Sequence, residues 1–397
     1  MKTRWGTQLA RLTLLLLGVE LLDELYSGVP SVAAEDIRSS LGVDYEGALL
    51  TLWFVPGVVA LLVEPVLFVL ADRHPRRWFV SGGLFAMGVA GLLAAWAPSA
   101  TWLAVAVALA WVGSGSGVTL SEATLADAHP ERRPQMLARW ALLGEVGDLG
   151  APLLVAGMAW LGLGWREAFT VVGVLVILWS GMLLFPRFPV PGDDDDEDED
   201  EPLLVGVRAA FKNRVLLGWL GATALCEFLD ELVVVFAALR MRGVLGYSPQ
   251  ENAWVIGAGV VGAIVGAAGA ERVLRTAPPM RVLLVASVGA GLSLVGWLLA
   301  AEVSLSAVTF FCLGLCVAPM YPIANAEAYA ALPDRSGTVN AARHVFTPVT
   351  LALPWALGAL ADEVGIVWAM SALLVQPLGL GVLAALRLAR QPPRAAP

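Results

Sequence analysis

Charged residues are scarce in this sequence. Only 15% of its 397 residues are Asp, Glu, Lys or Arg, 58% are hydrophobic, and the mean hydropathy is +0.74. So little charge excludes a soluble globular domain of this length. Cysteine is nearly absent. Cys226, Cys312 and Cys316 all lie in apolar stretches, an odd number without zinc spacing, and they read as packing residues rather than a disulfide framework. There is no HExxH segment and no nucleophile–His–acid grouping, so no enzyme activity, catalytic residue or cofactor is expected. The glycine strings GSGSG (Gly113–Gly117) and GAGVVGAIVG (Gly257–Gly266) lack the Lys-Ser/Thr and flanking strand of a phosphate loop. They suit close helix contacts, and neither nucleotide nor nucleic acid is an expected partner.

What the chain has in quantity is apolar runs of roughly 18–25 residues, each long enough to cross ~30 Å of hydrocarbon as a helix. Hydropathy places helices near 9–34, 46–70, 78–97, 101–125, 136–160, 165–186, 213–238, 250–271, 280–300, 304–331, 337–361 and 365–389. The expected fold class is therefore an all-α polytopic membrane protein with twelve transmembrane helices. MKTRWGTQLARLTLLLLGV has the basic start and apolar core of a signal peptide, but Glu20, Asp23 and Glu24 interrupt that core, and it reads as the first span. With the N-terminus inside, twenty-one lysines and arginines fall in inside segments. Only Arg38, Arg166, Arg240 and Arg242 fall outside. Both termini are expected to be cytoplasmic.

The net charge of −9 is carried by one run, DDDDEDEDE (Asp193–Glu201). With FPRFPVPG before it, the run reads as a solvated, self-repelling linker. Three segments follow: a six-helix bundle over 1–186, an acidic cytoplasmic linker over 187–212, and a second six-helix bundle over 213–397. The bundles repeat one another. ELLDEL (Glu20–Leu25) matches EFLDEL (Glu227–Leu232), DYEGALLTLWFVPGVVA (Asp44–Ala60) matches PQENAWVIGAGVVGAIV (Pro249–Val265), and LADAHPERR (Leu125–Arg133) echoes YAALPDR (Tyr329–Arg335). Parallel six-helix repeats are a known transporter construction, with the substrate site between the halves near mid-membrane.

LADRHPRRW (Leu70–Trp78) resembles the loop motif between the second and third helices of the major facilitator superfamily, roughly G-x-x-x-D-R-x-G-R-[RK]. Asp72, Arg73, Arg76 and Arg77 match its charged positions, whereas Pro75 replaces its second glycine. The resemblance implies a cytoplasmic charge latch that holds one conformation. The matching loop of the second half, ERVLRTAPPMR (Glu271–Arg281), is degenerate. GEVGDLGAPLLVAG (Gly144–Gly157) is similar in part to the superfamily's antiporter motif, although Ala151 separates Gly150 from Pro152. The same run also reads as close helix packing with a proline kink.

Glu20, Asp23 and Glu24 are spaced i, i+3, i+4 and share one helical face. A charge facing lipid costs several kcal/mol, so that face turns into the bundle. In the superfamily's architecture the first, fourth, seventh and tenth helices line a central cavity. Each of those here holds acid: Asp23 and Glu24; Glu122; Asp230 and Glu231; Glu327. Glu64, Glu145 and Asp148 add to the set. Glu20 and Glu227 read either as members of it or as structural hydrogen-bond partners, and Glu122 suits the cavity or the latch. In APMYPIANAEAY, Pro319 and Pro322 break the tenth helix and free carbonyls beside Asn325 and Glu327. Bases at membrane depth are few, chiefly Arg343 and His344, with Arg139 near a helix end. They either neutralise an acid permanently or, in His344, relay protons. Trp53 and Trp140 read as interface anchors or as an aromatic wall for a cation.

So many carboxylates cannot all be charged together in a low-dielectric cavity, and desolvation and mutual repulsion favour proton uptake. Protons then compete with a cationic substrate. The expected function is a secondary active transporter of a bacterial plasma (inner) membrane, moving a small cationic or amphiphilic solute by alternating access. It is proton-coupled, with export favoured. One alternative is an importer of a polar solute coupled to Na⁺ or a divalent cation, with the carboxylates as oxygen ligands; whether a metal binds is left open. An alternative of another class is a non-transporting sensor or assembly partner that docks through the acidic run. The expected partners are the lipid bilayer, a small-molecule or ion substrate and protons, and the expected state is a monomer.

Overall fold

The computed structural model describes residues 2–72, 74–129, 133–186, 188, 212–332, 339, 342 and 346–390. Every regular element among them is helical. The first group is α1 (Lys2–Val32), α2 (Ala34–Leu41), α3 (Tyr45–Leu49), a π turn (Leu50–Phe54), α4 (Val55–Asp72), α5 (Arg76–Ala95), α6 (Ala100–Ala128), α7 (Arg133–Trp160) and α8 (Trp165–Met182). The second is α9 (Arg214–Glu227), a π turn (Phe228–Leu232), α10 (Val233–Gly243), α11 (Pro249–Val273), α12 (Pro279–Leu299), α13 (Val303–Val317), α14 (Met320–Ala330), α15 (Thr347–Val364), α16 (Ile366–Ser371), a 3₁₀ turn (Ala372–Leu374) and α17 (Val375–Arg390). Two compact units result, residues 1–195 with 248–253 and 354–359, and residues 196–247 with 254–353 and 360–397.

Among the described residues, nine helices are long and apolar enough to cross a membrane. The other expected spans coincide with α1, with α9 through α10, and with α15. The start of the expected 337–361 helix, like the acidic run, lies largely outside the described residues. The short helix α2, absent from the hydropathy reading, follows α1 directly.

Small residues bring the helices of the first unit together. A Cβ on Gly83 of α5 would stand 2.6 Å from the Gly113 carbonyl and 2.7 Å from the Gly117 amide of α6. One on Gly88 would stand 2.7 Å from the Gly173 carbonyl of α8. In the second unit, Gly259, Gly262 and Gly266 of α11 abut Phe310, Phe311 and Leu315 of α13 in the same way. Such close backbone approach is how helices associate where lipid removes the hydrophobic drive between them.

The four arginines expected on the outer side are not free loop charges. Arg38 pairs with Glu35 through both carboxylate oxygens at 2.7 Å and donates to the Val43 carbonyl at 3.1 Å. Arg166 donates to the Ala95 carbonyl ending α5 and lies over the Trp165 ring. Arg240 is buried, donates to the Leu298 and Ala300 carbonyls at 2.9 Å each, and stacks 4.6 Å over Trp297. Arg242 donates to the Tyr247 carbonyl. A cation at a helix C-terminus meets the negative end of the dipole and satisfies carbonyls that have no partner within the helix.

Two of these arginines belong to a repeated turn. Arg38-Ser-Ser-Leu-Gly-Val and Arg242-Gly-Val-Leu-Gly-Tyr each place a glycine at positive φ, Gly42 at 66° and Gly246 at 70°, where an L side chain is strained. In both, the arginine reaches the carbonyl five residues on. Each turn then delivers an N-cap: Asp44 accepts from the Gly47 amide at 2.7 Å, and Ser248 exchanges hydrogen bonds with Glu251 in a capping box.

Gly83→Ala is expected to destabilise the protein by ~1–3 kcal/mol, because backbone on both sides of the new methyl group blocks relaxation. Gly82→Ala, where no atom lies within 4 Å of the added carbon, is the internal control. Thermal unfolding of the two variants in the same detergent checks the difference, and equal midpoints count against this packing.

Candidate functional site

α1 runs as unbroken α-helix through its acidic segment, so Glu20, Asp23 and Glu24 do share a face. Two helices close on it. A Cβ on Gly144 of α7 would lie 2.9 Å from Glu20 Oε1, and one on Gly147 would lie 2.8 Å from Glu24 Cβ. The run similar to the antiporter motif thus supplies the glycines that let α7 approach the acids, and Pro152 sits within the same helix. One turn earlier, the buried Trp140 brings its indole next to Glu20.

From the other side comes α6. Its GSGSG string serves three neighbours at once. Gly113 and Gly117 meet α5, Gly115 leaves room for the Glu64 carboxyl of α4, and Ser114 lies beside Asp23. Asp23 Oδ1 is sealed from solvent and has no hydrogen-bond partner, and the same holds for the hydroxyl of Tyr26 one turn on. Glu122, two turns further along α6, is exposed but lies within electrostatic range of Glu20. Glu24 accepts from Ser27 at 3.2 Å. Glu145 and Asp148 are half-buried on α7 beside the two glycines.

Among the described residues, Glu20, Asp23, Glu64 and Glu122 form no ion pair with Lys, Arg or His. Their contacts are neutral: an indole, a hydroxyl, and backbone bared by glycine. Such a group can take up protons or a cation without first displacing a resident base. Arg139 is exposed on α7.

The second acidic triplet differs in backbone. α9 ends at Glu227, and Asp230 and Glu231 fall in the π turn Phe228–Leu232. The backbone of this triplet is therefore wound more widely than that of the first. The side chains of Glu227, Asp230 and Glu231 lie outside the described residues, as do Arg343 and His344. The tenth expected helix does break, between Val317 and Met320, but at Pro319 alone, since Pro322 lies inside α14. Glu327 is half-buried on α14. Trp53 is half-buried within the first π turn. No group of three or more His, Cys, Asp or Glu arranged to hold a metal occurs among the described residues.

At the expected latch, Arg76 pairs with Asp127 at the end of α6 at 2.5 Å, and Arg77 lies 4.9 Å over Trp78. Arg73 and the Asp72 side chain lie outside the described residues. Sequence reasoning missed Asp127, although it stands in the quoted LADAHPERR. It also missed Ser114 and Tyr26, which carry no local mark beyond a polar atom in an apolar helix.

Apolar helices of membrane length, with carboxylates turned onto neighbouring helices, define a polytopic membrane protein with a polar interior. The Major Facilitator Superfamily profile matches residues 24–349, and the chain belongs to that superfamily. Its fold is that of a bacterial homologue of the human lysosomal transporter Spinster in an inward-facing, unoccupied conformation (TM-score 0.78, 17% identity, 96% of each chain covered). It is also that of the nucleoside transporter NupG (TM-score 0.73, 12% identity, 95% of this chain and 98% of that one). At these identities the likeness concerns fold. The membrane sensor protein UhpC of Salmonella typhimurium (strain LT2) is 31% identical over 159 residues, 38% of this chain and 33% of that protein. The match spans about a third of that relative's length.

The Arg76–Asp127 pair is partly exposed, with side chains 23% and 38% accessible, so its direct stabilisation is small. A double-mutant cycle with Arg76→Ala and Asp127→Ala is expected to give a coupling of ~0.2–1 kcal/mol. Denaturant unfolding measures it, and a coupling several times larger would show the pair to be a structural staple.

Proposed function

We propose that the protein is a secondary active transporter, coupled to protons, that moves a small cationic or amphiphilic solute across a bacterial inner membrane by alternating access, with export favoured. The observation that carries this reading is the acidic face of α1. Three carboxylates are gathered against α6 and α7; among the described residues Glu20 and Asp23 form no ion pair with a base, and Asp23 has a sealed oxygen without a hydrogen-bond partner. A carboxyl group so placed is costly to hold charged without a counter-ion, so proton and cationic solute exclude one another there. In the roles proposed here, Asp23 carries the proton, and Glu20, Glu24 and Glu122 meet the solute. Glu64, Glu145 and Asp148 shape the potential around them. Asp230, Glu231 and Glu327 act in the C-terminal half, with Arg343 and His344 as their basic partners. Asp72, Arg73, Arg76 and Arg77 form the cytoplasmic latch.

A second reading, a membrane sensor, is favoured by the similarity to UhpC alone, which is named a sensor. In that reading the acidic site binds its solute and reports occupancy without moving it.

Proteoliposomes carrying an imposed pH gradient separate these readings. Accumulation of fluorescent organic cations driven by the gradient is expected for the wild type. Asp23→Asn is expected to reduce it at least tenfold at unchanged expression and thermal midpoint. Full activity in that variant removes Asp23 from the coupling role. Uptake that requires Na⁺ and ignores the pH gradient supports the importer instead, and cation binding without any flux supports the sensor.

A further inference from the structure

The π turn in the second unit has a partner far along the chain. The Leu229 amide donates to Gln376 Oε1 at 2.8 Å, across 147 positions, in a buried setting. Gln376 lies in the first turn of α17 and is fully buried. Its Nε2 faces the sulfur of Met320 at 3.6 Å, where α14 begins beyond the proline break. One side-chain amide therefore touches both the π turn and the helix start beyond the proline break. Gly379 brings α17 close to the same place, since a Cβ there would lie 3.4 Å from Leu225 of α9.

A π turn disturbs the α-helical ladder and persists as a single turn, frequently at functional sites. An amide left out of the ladder needs another acceptor, and in a buried position water does not supply it. Gln376 is that acceptor. Without it the Leu229 amide either stays unpaired in an apolar interior, which is strongly disfavoured, or returns to an α-helical bond. The latter rotates one side of the helix by about 100° relative to the other. Either outcome changes how the backbone presents the segment carrying Asp230 and Glu231.

We propose that Gln376 is a positioning residue: by accepting from Leu229 it fixes the π register of the acidic segment between α9 and α10, so that this register is set from α17. The inference goes beyond the proposed function and holds whichever solute is moved.

The test uses full-length protein in lipid nanodiscs, with Cys312→Ser and Cys316→Ser leaving Cys226 as the sole thiol. Maleimide labelling of Cys226 and amide exchange over residues 225–232 are compared in this parent, in Gln376→Met and in Gln376→Glu. Methionine keeps the length and loses the acceptor, whereas glutamate keeps a carboxyl oxygen at the same reach. Labelling and local exchange are expected to rise at least tenfold in Gln376→Met, with α12 peptides unchanged, and to return to parent values in Gln376→Glu. Equal protection in Gln376→Met and the parent would overturn the proposal. A loss spread evenly into α12, or one that glutamate fails to restore, would overturn it as well by showing general packing.

Discussion

Hydrocarbon offers no hydrogen-bond partner, so every polar group at membrane depth has to find one in the protein itself. That constraint organises the structure more than any single contact. It turns the acids of α1 onto α6 and α7, and sets glycines where those helices close. It ties Arg240 to two helix-ending carbonyls and an indole face. It also gives the amide freed by a π turn a glutamine from another helix. It is not met everywhere: Asp23 Oδ1 and the Tyr26 hydroxyl are among the polar atoms sealed without a hydrogen-bond partner.

The acid cluster and the arginines answer the constraint in opposite ways. Arg38, Arg76 and Arg275 meet carboxylates directly, and Arg166, Arg240 and Arg242 end on backbone carbonyls. Each of those guanidinium groups has at least one acceptor oxygen, although Arg240 Nε and one of its terminal nitrogens stay unpartnered. Glu20 and Asp23 lie instead beside an indole and a hydroxyl, neighbours that do not neutralise a carboxyl.

Hydropathy and spacing made much of this legible. The runs that become α1, α5, α6, α8 and α12 stood out by length, and the i, i+3, i+4 spacing of Glu20, Asp23 and Glu24 identified their shared face. The proline break before Met320 was equally visible. What stayed hidden were the partners. Periodicity tells which residues share a side of a helix but not which helix lies opposite, so Ser114, Trp140 and Asp127 had no sign attached to their roles. The π turns were hidden for a related reason. LTLWF and FLDEL are ordinary helical sequences, and the acceptor that stabilises the second sits 147 positions away. The match between ELLDEL and EFLDEL is thus a match of sequence carried on two kinds of backbone turn, α in the first and π in the second.

The arginine–leucine–glycine turn occurs once in each half, with the same reach of side chain to carbonyl and the same left-handed glycine. The two loops thus share one local solution, which extends the likeness of the halves beyond the acidic triplets. The π turns fall at unmatched places, one in the second helix of the first half and one in the first helix of the other. The likeness therefore reaches the polar turns between spans but not the irregular backbone within them.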